Sequence, residues 1–147
     1  MRHSPSAGLS GGEPGTVEYN YSRFVPHALV VNLGTNDYDL SRFVHEEPSY
    51  ADFGSNYTRF LHDLVARYRG ELPAIVIGCG PMTSVQCPTV AAVATALGAS
   101  HLNLKVRFAN LTLPADQLGG CIGHPNVQGH ATLLQQLEPV LREVTGW

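Results

Sequence analysis

The sequence reads as an α/β protein, a three-layer α/β/α sandwich built on a parallel sheet. Three observations point there. Two short apolar runs, Ala28-Leu29-Val30-Val31 and Ala74-Ile75-Val76-Ile77, are unbroken by polar residues and rich in β-branched side chains, the pattern of strands buried on both faces. A segment of helical period follows each of them. Strand and helix therefore alternate, and parallel strands joined by right-handed crossovers are what that alternation favours.

Taken in order, residues 1–16 are rich in Ser, Gly and Pro and read as a flexible leader, with the domain proper over 17–147. Within the leader, Gly8-Leu9-Ser10-Gly11-Gly12 fits the spacing of a nucleophile elbow. That motif works only where a strand enters the Ser and a helix leaves it, and no strand pattern precedes Ser10. Tyr19, Tyr21 and Phe24 then suit a loop or short turn packed onto the sheet.

The first strand runs from Ala28 to Leu33 and ends abruptly in Gly34-Thr35-Asn36-Asp37, where a glycine lets the backbone turn. Its two-sided apolar character suits a central strand, yet no strand pattern precedes it. An uncovered apolar strand is an aggregation hazard, so the sequence implies that strands N-terminal to it are missing. Residues 38–49 read as a polar loop. Phe53, Tyr57, Phe60, Leu61, Leu64, Val65 and Tyr68 then fall on one helical face, with Ser49 or Asp52 suited to the N-cap and Gly70 to the stop.

A second buried strand covers Pro73 to Cys79 and halts at Gly80-Pro81-Met82. Pro88 to Leu97 suits a short helix of small residues that starts at a proline and stops at Gly98. Leu104 to Phe108 alternates apolar and basic residues, as an edge strand exposed on one side does. After a loop over 109–123, Val127, Ala131, Leu134, Leu137, Leu141 and Val144 form the stripe of a last helix. Pro139 inside it removes one ladder bond and predicts a kink or a break into two pieces.

The bulk composition narrows the function. A chain of 147 residues with 44% hydrophobic content can bury one ordinary core. A net charge of -3 gives no electrostatic case for nucleic acid or an anionic membrane surface. No window approaches about 18 consecutive apolar residues, and the leader lacks the apolar stretch of a signal peptide. No compartment is marked. Cys79, Cys87 and Cys121 have no zinc-site spacing, and the pair Cys79 and Cys87 leaves a disulfide and free thiols both open. His3, His27, His45, His62 and His101 are dispersed, and His130 lies on the body of the last helix. No metal or cofactor is expected.

Chemistry concentrates at two places that the topology brings to one rim. Ligands of open parallel sheets bind outside the carboxyl ends of the strands. Gly34 to Asp37 lies at one such end, and Gly123-His124-Pro125-Asn126 follows the third strand and opens a helix. An Asn beside a Gly can donate hydrogen bonds to a developing oxyanion, and a His can activate a Ser hydroxyl. The catalytic candidates are therefore Asn36 and His124, with Gly34 and Asp37 as substrate-binding candidates. The plainer alternative for Asn36 and Asp37 is a local Asx turn.

At these residues the sequence resembles the SGNH (GDSL-type) hydrolases, which have a flavodoxin-like sandwich. The similarity runs through Val30-Val31-Asn32-Leu33-Gly34-Thr35-Asn36-Asp37 and through Gly120 to His130. Gly-Cys-x-x-His-Pro, Gly80-Pro81-Met82 and the Gly146-Trp147 end are similar to family 2 carbohydrate esterases, which remove acetyl groups from xylan and related sugars. The resemblance covers about residues 26–147 and implies Asn36 as oxyanion donor, His124 as general base, and a small-molecule or polysaccharide acetyl ester as substrate. The family's Gly-Asp-Ser block has no counterpart here, with Gly8 the nearest remnant of its glycine block. Its Asp before the His is replaced by Cys121 and Ile122, a position where some members use a backbone carbonyl instead. The aromatic that often precedes the His is Gly123.

Two readings follow. One is the C-terminal part of a carbohydrate O-deacetylase whose Ser lies outside this chain. The other is a non-catalytic α/β module that binds sugar or a protein partner. A Gly-Asp-Ser block encoded in frame upstream of Met1 favours the first; a genuine start at Met1 favours the second.

Overall fold

The structure, a computed structural model, describes residues 19–39 and 50–147. The leader with Ser10, the 40–49 stretch and the proposed cap Ser49 lie outside the described residues.

Three strands form one parallel sheet in the order β1-β2-β3: β1 (Leu29–Asn32), β2 (Ala74–Cys79) and β3 (Lys105–Asn110). The register pairs Val31 with Ile77 and Ile77 with Phe108. Every residue of β2 is buried. Because alternate side chains point to opposite faces, β2 splits its apolar run between two cores. Ile75, Ile77 and Cys79 pack with Tyr57 and Leu61 of α2 (Tyr50–Arg67) and with Val90 and Leu97 of α3 (Cys87–Ser100). Ala74 and Val76 pack with Val144, Leu137 and Leu141 of α4 (Val127–Thr145). Helices thus cover both faces, and the three-layer parallel sandwich expected from the sequence is the fold. Each fully buried aliphatic side chain contributes about 1.5–3 kcal/mol, which makes β2 the spine of both cores.

Several expectations are corrected. The unpaired flank expected of β1 is not one of these: among the described strands its outer side is open, Val31 alone is buried and Val30 is 40% exposed. A strand's burial is decided by its neighbours, and β1 pairs only with β2 here. The turn after β1 is a short helix, α1 (Thr35–Asp39), which extends into the region read as loop. Asp52 lies within the first turn of α2, where it favours the positive dipole end, rather than at its cap. Helix α3 runs past Gly98 to Ser100, because Gly98 faces Val106 of β3 in ordinary contact and the helix ends instead at His101. Helix α4 is one helix through Pro139 rather than two pieces. Pro139 points to solvent while Leu137, Val140 and Leu141 stay packed on the sheet, so core contacts on both sides outweigh one lost ladder bond. The loop after β3 contains short 3-10 turns at Ala115–Gln117 and Cys121–Gly123.

Other expectations hold. The helical face of α2 buries Tyr57, Leu61 and Val65, and Tyr68 is buried just beyond its end. Gly70 adopts a left-handed φ of +77° just beyond the helix. β3 is an edge strand of alternating exposure.

Candidate active site

With all strands parallel, the segments after β1, β2 and β3 emerge at one rim. Hydrogen bonds tie them together. Thr35 Oγ1 donates to the Gly80 carbonyl at 2.9 Å, which joins the turn after β1 to the turn after β2. Leu111 N donates to Cys79 O at 2.8 Å and Leu113 N to Pro81 O at 3.3 Å, which joins the turn after β2 to the loop after β3. A disulfide between Cys79 and Cys87, with Cα atoms 5.4 Å apart, closes the segment between β2 and α3. It resolves the alternative that spacing left open.

Gly34 is buried with φ +110°, and a Cβ there would come 2.7 Å from Phe53 Cζ. The turn can sink against α2 only because no side chain is present. Asn36 and Asp37 then stand exposed on α1. Among the described residues no hydrogen bond engages the Asn36 side chain. Below the turn, burial pushes the Tyr57 phenol up to about 12, against a smaller opposing effect of the Leu33 backbone.

His124 sits in a tight knot of backbone. Gly120 N donates to His124 O at 2.9 Å, Gly123 N to Gly120 O at 3.3 Å, and His124 N to Cys121 O at 3.2 Å. Ile122 and Gly123 are both left-handed, with φ of +54° and +75°. The turn folds the imidazole back so that Nδ1 lies 2.7 Å from the Cys121 carbonyl oxygen. A carbonyl only accepts, so Nδ1 carries the proton and Nε2 presents a lone pair to solvent. Asn126 caps α4 by accepting from Gly129 N at 2.8 Å, and its Nδ2 donates to Asp116 O at 3.0 Å. His124 is thereby fixed to the start of α4. His130, one turn further along, is exposed on the helix body.

Asn36 and His124 thus occupy the same rim, on segments that both lean on the turn after β2. No hydrogen bond joins them directly among the described residues. No serine hydroxyl bonds to His124 among those residues either. Sequence reasoning missed Thr35 as the tie of the first turn; a backbone carbonyl in place of the Asp was implied by the family resemblance, and the structure puts the Cys121 carbonyl at His124 Nδ1. The glycines on both sides of Cys121-Ile122 were the available signal of a tight turn.

No protein-family model matches the sequence, and no curated protein matches it. Solved structures do. Over 90% of this chain the fold is similar to a family two carbohydrate esterase from Clostridium thermocellum in complex with cellohexaose, at TM-score 0.74 and 21% identity, covering 40% of that chain. An acetyl xylan esterase from the rumen bacterium Butyrivibrio proteoclasticus matches at TM-score 0.72 and 18% identity, over 90% of this chain and 40% of that one. A family two carbohydrate esterase from Cellvibrio japonicus matches at TM-score 0.66 and 20% identity, over 93% and 38%. The chain therefore has, over most of its length, the fold of family 2 carbohydrate esterases, and it spans about two-fifths of theirs.

Proposed function

We propose that the chain is the part of an SGNH-type carbohydrate O-acetyl esterase that carries the oxyanion donor and the general base. The observation that supports this reading best is the 2.7 Å contact from His124 Nδ1 to the Cys121 carbonyl. It supplies what an Asp supplies elsewhere, a fixed tautomer with Nε2 free to take a proton.

In the proposed reaction a Ser on polypeptide beyond this chain, carried by a strand along the open edge of β1, attacks the acetyl carbonyl of the sugar ester. Nε2 of His124 takes the hydroxyl proton as the bond forms. The carbonyl oxygen becomes an oxyanion, and the Asn36 amide donates to it. The tetrahedral intermediate collapses, and the sugar oxygen leaves with the proton returned by His124. Water, deprotonated by the same imidazole, then releases acetate from the Ser. Asp37 meets sugar hydroxyls at the mouth, and Gly34 keeps the turn low enough for the ester to approach.

Hydrolysis of p-nitrophenyl acetate tests this reading. The isolated chain is expected to show only the slow background of exposed imidazoles, unchanged in Ser10→Ala. A polypeptide that adds the nucleophile strand is expected to be active, to lose about 10²–10³ in turnover in Asn36→Ala, and to lose at least as much in His124→Ala. Serine-dependent turnover by the isolated chain, abolished in Ser10→Ala, sinks the reading. A non-catalytic sugar- or protein-binding module is the second reading. It is favoured by the lack, among the described residues, of a serine at His124, and an extended polypeptide without turnover would establish it.

A further inference from the structure

A concave surface lies at the other end of the sheet from the rim of Asn36 and His124. Helix α2 runs from the carboxyl rim back to the amino rim, so its last turn meets the 3-10 turn Tyr21–Arg23 that precedes β1. Between them is a cleft of about 380 Å³ walled by Tyr19, Asn20, Tyr21, Ser22, Arg67 and Arg69. That volume is within the roughly 300–1,000 Å³ of small-ligand sites. The six-residue β2 separates the cleft from the rim of Asn36 and His124 by about 20 Å.

The walls are built, not incidental. Tyr21 is clamped edge-on by Tyr19 at 5.0 Å and by Tyr68 at 5.1 Å, and the Arg67 guanidinium lies 5.7 Å from its ring centre. Asn20 Oδ1 accepts from both Ser22 N at 3.0 Å and Ser22 Oγ at 2.7 Å, which sets the 3-10 turn. Arg69, exposed on the wall of the cleft, has a left-handed conformation, φ +52°, that a non-glycine residue adopts at a cost. Tyr19 remains 57% exposed although it belongs to this aromatic group.

We infer that this cleft is a saccharide-binding subsite, distinct from the rim of Asn36 and His124. A flat phenol ring takes the C–H face of a pyranose by stacking, and Tyr19 offers one. Planar groups with several donors in fixed directions suit neighbouring sugar hydroxyls, and Arg69 and the Asn20 amide supply them. The choice of saccharide rests on the carbohydrate reading proposed above; the cleft itself does not. A chain that grips the polymer at one end of its sheet holds acetylated units near the other.

The test is titration of the ¹⁵N-labelled chain with cellohexaose, and separately with xylohexaose, followed by amide shifts. The expected result is saturable shifts at residues 19–22 and 66–69. Tyr19→Ala or Arg69→Ala should weaken the apparent Kd about threefold to tenfold. Tyr19→Phe, which keeps the ring, should retain binding, and His124→Ala should leave it unchanged. Shifts confined to the Asn36 and His124 rim overturn the subsite while sparing the catalytic reading. Saturable binding at the cleft without ester hydrolysis by the extended polypeptide sustains the subsite while removing the catalytic reading. Equal binding in Tyr19→Ala, or the same shifts from sodium sulfate alone, overturns the inference.

Discussion

The imidazole Nδ1 of His124 lies 2.7 Å from the carbonyl oxygen of Cys121, three residues earlier in the same turn. A backbone carbonyl cannot ionise, so this partner orients the ring at any pH without adding a charge. The turn that delivers it contains Ile122, a β-branched residue at φ +54° and 88% exposed. Left-handed backbone costs an L-residue roughly 1–2 kcal/mol, and the exposed side chain recovers little by burial. Ile122→Asn is therefore expected to raise stability by about 1 kcal/mol in urea unfolding, with the His124 contact intact. Destabilisation would mean that the Ile side chain makes contacts the turn depends on.

The two glycines that shape the rim should differ in sensitivity. At Gly34 a new Cβ meets the far end of the Phe53 ring at 2.7 Å, and a ring can shift. At Gly80, with φ +108°, it meets the backbone C and O of Leu111 at 2.7 Å, and that backbone is held in place by the bond from Leu111 N to Cys79 O. Gly34→Ala is expected to cost about 1–3 kcal/mol, and Gly80→Ala more. Thermal unfolding of both variants checks the order.

The Cys79–Cys87 disulfide closes a loop with a sequence separation of 8 at the same rim. On the loop-entropy account such a closure stabilises by about 2.5 kcal/mol. The double variant Cys79→Ala, Cys87→Ala is expected to lose about that much in urea unfolding, with a slope no lower than that of the parent.

Stability should also fall at high pH. Burial raises the Tyr57 phenol to about 12, and burial first, then Tyr19 and Tyr21, raises Tyr68 above its usual 10. For a group whose folded pKa is raised, the contribution is whole below the unfolded value and lost as pH climbs through the folded one. The decline should therefore begin near pH 10 and extend to about 12. Tyr57 alone accounts for up to about 2–3 kcal/mol of it. Melting curves between pH 9 and 12 should show a shallower decline in Tyr57→Phe.

Much of this was legible in the sequence because the signals were local. The apolar run of β2, the seven-residue stripe of α2 and the alternation of β3 each report burial by their own period. The apolar run of β1 reports what a strand can bury, and Val30 and Leu33 are exposed because, as the sequence implied, no neighbour on that side is among the described strands. Pro139 misled because a ladder bond is weighed against packing on both sides, which a single residue does not reveal. Topology placed the segments of Asn36 and His124 at the carboxyl rim of the sheet, where the structure also has them. A backbone carbonyl in place of the Asp came only from the family resemblance; which one was not legible, since every residue has one and only the backbone path of Ile122 and Gly123 aims that of Cys121.

The tautomer of His124 is the most direct test of the claim that a backbone carbonyl holds this residue as a base. Two-dimensional ¹⁵N spectra of the imidazole distinguish a protonated from an unprotonated ring nitrogen. With the neutral ring, the expected result is a proton on Nδ1 and a free lone pair on Nε2, retained in Ile122→Asn. A proton resident on Nε2, or rapid exchange between the two nitrogens as in a free imidazole, would contradict it.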